Sequence, residues 1–316
     1  TTKTLQRVEQ TWQPGARESN ASLRLQVSTS KGTEQRIELP DSARVKAVRV
    51  DDKPLAVDEG NPKLIIPINP GSHRLDIEWR QPSNSGWRDH SPVVGLGDDY
   101  VNHSLQVSVL RDRWVLWVGG PPVGPAILFW GVALVLVLLG LVLGQIRRLP
   151  LRGWHWILLL LGLCTGWLES IPVVVAWFFL LQLRRSQWAR GLGRLRFNGL
   201  QVLIVLATVV TFAVLLAAIP QGLIGSPDMG IVGNGSSQFQ LHWFVDRGAG
   251  ELASGWYLAL PLWVYRALML AWSLWLALYM LRWLKWGWES FTLDGHWRHR
   301  AGDPSQPADR ATSETP

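Results

Sequence analysis

Cysteine is nearly absent from this sequence, and its scarcity excludes several kinds of architecture. The single one, Cys164, lies within an apolar run. One thiol builds neither an internal disulfide framework nor a metal cluster on thiolates. Apolar surroundings also favour the neutral thiol, so we expect no reactive cysteine.

Recognisable catalytic motifs are also missing. No Ser-His-Asp, Cys-His or paired-carboxylate arrangement can be assembled. The glycine-rich run 230–237 lacks the Gly-Lys-Ser/Thr ending of a phosphate-binding loop and indicates a turn. His296 and His299 have the spacing of two metal ligands on one helix face, but no third ligand accompanies them. The sequence therefore predicts no catalytic residue, no cofactor and no metal, and it disfavours an enzyme.

The beginning of the sequence lacks an export signal. It opens Thr1-Thr2-Lys3 without a charged n-region or an apolar h-region. Residues 4–12 already alternate as a strand does, rather than resembling a trimmed terminus. We therefore expect this chain to be a piece of a longer protein.

Alternation of apolar and polar residues recurs through residues 1–122. Ser22–Ser28 alternates cleanly, and Pro70-Gly71 separates two further alternating runs, 64–68 and 74–79. A period of two places one face of a strand on a core and the other in water. Turn residues recur between the strands, which is typical of an antiparallel β-sandwich.

Residues 123–288 are dominated by apolar runs that predict a bundle of about five transmembrane helices. Ala126–Gly144 contains no charged residue, and a helix of that length spans roughly 30 Å. A break at Glu169 and Pro172 indicates two short helices there instead of one long one. The predicted spans are 126–145, 154–168, 170–183, 199–219 and 256–281, with an outer loop at 220–255 and a disordered cytoplasmic tail at 289–316.

The formal charge of +7 sits mostly beside these runs. Basic residues near membrane helices mark the cytoplasmic side, so the charge predicts orientation rather than nucleic-acid binding. The loop 221–254 contains only Arg247. This distribution predicts an exported β-domain and a cytoplasmic C-terminus; the clusters that decide it are Arg147, Arg148 and Arg152, then Arg184, Arg185, Arg190, Arg194 and Arg196, then Arg282 and Lys285.

Glu169 and Arg266 are the candidate site residues. Arg266 lies about ten residues inside the last predicted span, where an unpaired charge would cost roughly 2.5 kcal/mol or more. Glu169 lies at the turn of the predicted hairpin, at a similar depth. We expect an ion pair that staples two helices, and the alternative is a substrate or ion pathway.

Tryptophan is abundant, with 20 residues. Indoles commonly anchor helices at the headgroup level. This predicts interfacial positions for Trp154, Trp156, Trp256, Trp283, Trp286 and Trp288, and deeper positions for Trp263, Trp272 and Trp275.

The outer loop contains one strand-like segment, 239–245. Phe239, Leu241, Trp243 and Val245 share one face of it. Four apolar side chains on one face need cover. We expect this segment either to add a strand to the β-domain or to lie on the lipid headgroups.

The runs Arg113–Ala126 and Pro70–Trp79 resemble the C-terminal portion of large uncharacterised inner-membrane proteins of proteobacteria. The resemblance implies the bacterial inner membrane and no activity. Combined with the spans, it predicts a non-enzymatic envelope protein that anchors and orients a periplasmic β-domain for protein–protein contact. The expected partners are the lipid bilayer and other envelope proteins or an upstream part of the same chain, without nucleic acid. The alternative is a transport or channel component that uses Glu169 and Arg266.

Overall fold

A computed structural model describes residues 3–83, 86–165, 168–293 and 295. The chain divides into two compact units. The first, called the β unit, combines Thr1–Ala133 with Ser226–Ala267. The second, called the helical unit, combines Leu134–Gly225 with Leu268–Pro316.

The β unit contains all the strands of the described chain. In chain order they are β1 Lys3–Gln13, β2 Glu18–Thr29, β3 Thr33–Glu38, β4 Arg44–Val50, β5 Lys53–Pro54, β6 Lys63–Ile68, β7 Gly71–Pro82, β8 Arg88–His90, β9 Gly95–Ser108, β10 Arg113–Gly119, β11 Ala126–Ile127, β12 Ile231–Val232, β13 Gln240–Glu251 and β14 Trp256–Pro261.

Nine of these strands form one curled, mixed sheet. Its order is β5-β4-β7-β2-β1-β9-β3-β6, and β13 adds to β9. A three-stranded sheet has the order β10-β14-β8, and β11 pairs with β12. The alternation seen in the sequence decides which face is buried: in β2 and β7, the side chains turned to the core are Ala21, Leu23, Leu25, Val27, Leu75, Ile77 and Trp79.

The predicted antiparallel sandwich is wrong. Strands β1 and β9 pair in parallel, with Val8 opposite His103. Alternation reports which face of a strand is buried, but it does not report the partner strand or its direction. The strands therefore lie where the sequence places them, in a mixed sheet that the sequence did not predict.

The expectation that the outer loop adds a strand to the β-domain is confirmed. Strand β13 pairs antiparallel with β9, from Gln240 opposite Ser108 to Ala249 opposite Asp99. Leu241 and Trp243 are buried in the core that β1, β2 and β9 share. The apolar face is covered by protein, and the backbone groups are satisfied by the sheet.

The described helices differ from a bundle of about five transmembrane helices. Of the described helices, only α5 and α6, with 31 residues each, are long and apolar enough to cross a membrane. The helices α1, α2 and α3 have 16, 12 and 16 residues, below the roughly 20 that a crossing needs. In chain order the helices are α1 Phe129–Gly144, α2 Gly153–Cys164, α3 Ser170–Arg185, α4 Gln187–Arg190, α5 Arg194–Ile224 and α6 Leu262–Thr292.

Two predicted spans begin later than predicted because their first residues form strands. Ala126–Ile127 pairs with Ile231–Val232. Trp256–Pro261 forms β14, so the last helix begins six residues later than predicted. The predicted break in the second apolar stretch agrees with the separate helices α2 and α3. Pro172 lies in the first turn of α3, where its missing N–H breaks no helical hydrogen bond.

Tryptophan side chains pack the interior of the helical unit. Trp156, Trp177 and Trp283 are buried. The interfacial depth predicted for Trp156 and Trp283 stays a prediction. Trp272 donates a hydrogen bond from Nε1 to the carbonyl oxygen of Leu158 at 2.9 Å. These indoles provide large apolar contact areas, and the N–H group of Trp272 has a local acceptor.

One end of the helical unit is basic. There the last turns of α3 and α6 meet: the Nη1 atom of Arg185 donates to the hydroxyl of Ser290 at 3.4 Å. Gln201, near the beginning of α5, donates to the carbonyl of Phe291 at 3.2 Å. Glu289 is the one described carboxylate at this end. The basic residues of these helix ends and their connections are Arg147, Arg148, Arg152, Arg184, Arg185, Arg190, Arg194, Arg196, Arg282 and Lys285.

The predicted tail begins later than residue 289, because α6 continues to Thr292. The rest of that tail beyond Leu293, apart from Gly295, lies outside the described residues. His296 and His299 lie there too. Trp167, next to the predicted break, is likewise outside them.

His103 gives the β unit a pH-dependent stability. Its side chain is 1% exposed, and neither ring nitrogen has a hydrogen-bond partner among the described residues. Burial lowers the pKa of His103 from 6.5 to about 4. In the unfolded chain the His103 imidazole therefore binds a proton near pH 6.5, whereas in the folded chain it binds that proton only near pH 4.

We expect the stabilising contribution of neutral, buried His103 to the free energy of unfolding to be fully present above pH 6.5. It should decline by ~3 kcal/mol as the pH falls to about 4, and it should not change further below that pH. Chemical unfolding of the purified chain at a series of pH values measures this slope. His103→Gln should flatten it, whereas His90→Gln, at an exposed position of β8, should leave it unchanged. An unchanged slope in His103→Gln contradicts the assignment.

Candidate functional site

The junction at which helices α1 and α6 leave the β unit is the candidate functional site. Strand β14 lies between two neighbours, β10 and β8, and is hydrogen-bonded to both. Pro261 ends this strand and Leu262 begins α6, so no linker separates them. The backbone N–H of Leu262 donates to the carbonyl of Asp112 at 2.8 Å.

Helix α1 is held in a similar way. Its approach, Ala126–Ile127, pairs with β12. The N–H of Phe129 donates to the carbonyl of Met229 at 3.2 Å, and the indole N–H of Trp130 donates to the carbonyl of Leu116 at 2.8 Å. First-turn N–H groups have no partner within their own helix, so these bonds fix the beginning of α1 on the strands.

A slot lined by glycines, called the Trp243 slot, locks β13 against this junction. A Cβ atom on Gly124 would lie 2.4 Å from Cδ1 of Trp243, and one on Gly255 would lie 2.9 Å from Cδ2. Gly120 has a φ of +143° and would bring a Cβ within 3.0 Å of the indole nitrogen. A Cβ at Gly124 or Gly255 would overlap the ring, and the positive φ at Gly120 favours glycine there.

Aromatic contacts flank both helix beginnings. The ring centroids of Trp114 and Tyr265 are 5.3 Å apart, and those of Trp117 and Trp130 are 6.0 Å apart. The guanidinium of Arg88 lies 4.1 Å from the ring centroid of Trp256, a cation–π contact. Each contact therefore joins a strand residue to a neighbouring strand or helix beginning.

A buried phenol lies within the three-stranded sheet. Tyr257 is 1% exposed, and burial raises its pKa well above the usual range, as does the neighbouring carboxylate of Asp89. The phenol is therefore neutral at physiological pH. In that form it fills the core as an apolar side chain with one polar tip.

The two predicted site residues lie in different units. Glu169 is exposed in the turn before α3. Arg266 is exposed, and it is the fifth residue of α6 rather than a residue about ten positions deep, because β14 takes up the preceding residues. The Glu169–Arg266 ion pair stays a prediction.

The glycine-rich run is a turn, as the sequence indicates. Gly230, Gly233, Asn234 and Gly235 all have positive φ angles. Asp228 accepts the N–H of Gly230 at 2.8 Å. Within the described ranges, no three His, Cys, Asp or Glu side chains are grouped closely enough to hold a metal ion.

Sequence reasoning missed the pairing of β10 with β14 and the Trp243 slot. Residues 256–261 are nearly all apolar, so no period distinguishes a strand from the helix that follows. The available signal was Pro261, which breaks a helical pattern, together with the glycines at 119, 120, 124 and 255.

Neither protein-family models nor curated proteins match this chain. Among solved structures, it is similar to an M1 zinc metallopeptidase from Deinococcus radiodurans, at 13% identity over 37% of this chain and 35% of that chain, with a TM-score of 0.26. A mutant of that enzyme bound to a Tyr-Ser-Ala substrate matches at 13% identity, over 37% and 34%, with the same TM-score of 0.26. The chain thus spans about a third of these metallopeptidases, and at this TM-score the similarity carries no argument about fold or activity.

The Trp243 slot predicts that stability is sensitive to substitution of the glycines that line it. Gly124→Ala should lower the free energy of unfolding by about 1–3 kcal/mol, because the new methyl overlaps the indole. Gly131→Ala is the matched control, since a Cβ there meets no atom within 4 Å and alanine favours the helix. Chemical unfolding followed by tryptophan fluorescence compares the two. Equal stability of both variants would show that the slot is not tightly closed.

Proposed function

We propose that this protein is a non-enzymatic envelope protein that anchors the β unit in a bacterial inner membrane and orients it for contact with other proteins. The observation that carries the proposal is the direct transition from β14 to α6 at Pro261 and Leu262. A membrane anchor that needs only to tether would tolerate a flexible linker. A hydrogen-bonded strand that continues into the helix supports a fixed orientation.

The two long helices support membrane association. Only 17% and 33% of the most apolar windows of α5 and α6 are buried, so these are not enclosed core helices. Water-soluble proteins rarely expose a continuous apolar surface of this kind. Side chains that α5 and α6 leave at least 48% exposed include Leu203, Val205, Leu206, Val210, Leu216, Leu268, Leu270, Leu274, Leu278 and Leu281.

Charge supports one orientation. The basic end of the helical unit fits the cytoplasmic face, where arginine and lysine accumulate. The segment from α5 to α6, residues 225–261, contains Arg247 as its single basic residue and includes β12, β13 and β14. This orientation puts the β unit in the periplasm and the end of α6 in the cytoplasm, and it requires the 16-residue helix α1 to cross as well, in a locally thinned bilayer.

The proposed partners are the bilayer and either other envelope proteins or an upstream part of a longer chain. The candidates for a transport pathway are Glu169 and Arg266, and both are exposed. Nothing in the described part of the chain favours a role in transport for either residue. Orientation is therefore preferred to transport as the role of the junction.

The orientation can be tested by labelling single cysteines in a Cys164→Ala background. Ser186→Cys precedes α5 and should be shielded from an impermeant thiol reagent in intact cells. Ser236→Cys follows α5 and should react, because one crossing separates the two positions. Permeabilised cells provide the control, in which both positions should react. Labelling of both positions in intact cells would refute a crossing by α5.

The fixed junction can be tested by distance measurements between spin labels. Asn20→Cys in β2 and Ala267→Cys in α6 are exposed positions of the β unit. Because strands hold the beginning of α6, the distance distribution should be narrow. Trp243→Ala should broaden it by opening the slot, whereas Trp87→Ala, at a side chain 73% exposed, should not. A broad distribution in the otherwise unchanged chain would contradict the proposed orienting role.

A further inference from the structure

The helical unit contains an apolar groove, called the bundle groove, between α3, α5 and α6. Its volume is about 240 Å³, below the roughly 300–1,000 Å³ of pockets that hold drug-sized ligands. A groove of this size suits one narrow chain rather than a broad molecule. The residues that define it are Trp177, Leu181, Ile204, Thr208, Gly287 and Phe291.

Glycine keeps the groove open on the α6 side. A Cβ on Gly287 would lie 3.5 Å from Cδ1 of Leu181 and 3.6 Å from Cζ2 of Trp177. These are ordinary contact distances, so the missing side chain leaves space without strain. A larger residue at position 287 would fill that space.

The polar groups of the lining are turned toward each other. The hydroxyl of Thr208 accepts a hydrogen bond from the indole N–H of Trp177 at 2.9 Å. The same hydroxyl donates to the carbonyl of Ile204 at 2.7 Å. Because both groups are satisfied, the groove selects for an apolar occupant.

One end of the groove reaches the basic end of the helical unit. Phe291 lies there, beside Ser290, to which Arg185 donates. The guanidinium of Arg185 is also 5.8 Å from the ring centroid of Trp286. Arg194 and Arg196 are exposed at the beginning of α5, whereas Glu289 is the one described carboxylate nearby. The occupant that fits both features has an apolar chain and an anionic head.

We propose that the bundle groove holds one acyl chain of an anionic phospholipid, whose phosphate lies against Arg185 and the arginines at the beginning of α5. The proposal rests on the membrane insertion proposed above, because exposed apolar side chains on both long helices surround the groove. Juxtamembrane basic residues attract anionic lipids, and the groove adds a place for the chain. The site therefore recognises the headgroup by charge and the chain by shape.

Lipid retention tests this proposal. The full chain is placed in nanodiscs containing equal amounts of phosphatidylglycerol and phosphatidylcholine, then washed with detergent, and the lipid that remains bound is measured by mass spectrometry. The chain should keep phosphatidylglycerol in preference to phosphatidylcholine. Arg185→Gln should lower that preference about fivefold, the change that corresponds to about 1 kcal/mol.

Variants of groove residues distinguish lipid held in the groove from lipid held on the surrounding helix surface. Gly287→Phe should abolish lipid retention because the new ring fills the groove. Leu284→Trp should weaken lipid retention because the larger side chain narrows the groove at its rim. Leu278→Phe enlarges an exposed side chain of the same helix outside the groove and should change nothing. Circular dichroism verifies that each variant folds.

Two results would overturn the proposal. Equal retention of the two lipids would exclude headgroup recognition. Unchanged retention in both Gly287→Phe and Leu284→Trp would exclude the groove, leaving the lipid elsewhere or a partner helix in its place. Either result leaves the proposed function intact if the chain still fractionates with membranes. Absence from the membrane fraction would instead reject both proposals.

Discussion

The pairing of β14 between β10 and β8 is the interaction on which the remaining structure depends. Hydrogen bonds on both edges leave this strand little freedom, and α6 begins at the next residue, Leu262. The same sheet region holds the beginning of α1 through backbone bonds at Phe129. The ring of Trp243 packs against this region, in a space left by three glycines that have no side chains of their own. Burying such an aromatic residue contributes on the order of 2–3 kcal/mol.

The two units meet different physical demands. In the β unit, apolar residues alternate with polar ones, and one face of a mixed sheet forms the core. In the helical unit, tryptophans and leucines such as Leu159 and Leu276 fill the interior, while many other leucines and valines are exposed along helices with a basic end. An apolar exterior with charge at one end is the arrangement that a bilayer stabilises. The proposed role rests on β14 continuing into α6 without an intervening linker.

The sequence predicts individual strands and one break between helices where a period or a charge is present, but the predicted sandwich and the bundle of about five transmembrane helices are wrong. Alternation identifies β2, β6 and β7, and it identifies part of β13 as a strand whose apolar face needs cover, from either the sheet or the lipid headgroups. The break between α2 and α3 follows from Glu169 and Pro172. Continuous apolar runs are different, because Ala126–Ile127 and Trp256–Pro261 carry no period and merge with the helices that follow. The parallel pairing of β1 with β9 and the slot for Trp243 bring together residues far apart in sequence, which local patterns do not report.

Hydrogen exchange in the full-length chain tests the central claim most directly. If strands fix the helices, the amides of β14 and of Leu262 exchange as slowly as those of β2 and β7, because they open only with the whole β unit. The amide of Phe129 belongs to the same protected set. Slow exchange in β2 and β7 together with rapid exchange across residues 256–262 would show that the junction opens independently. That result would contradict an orienting role for this junction.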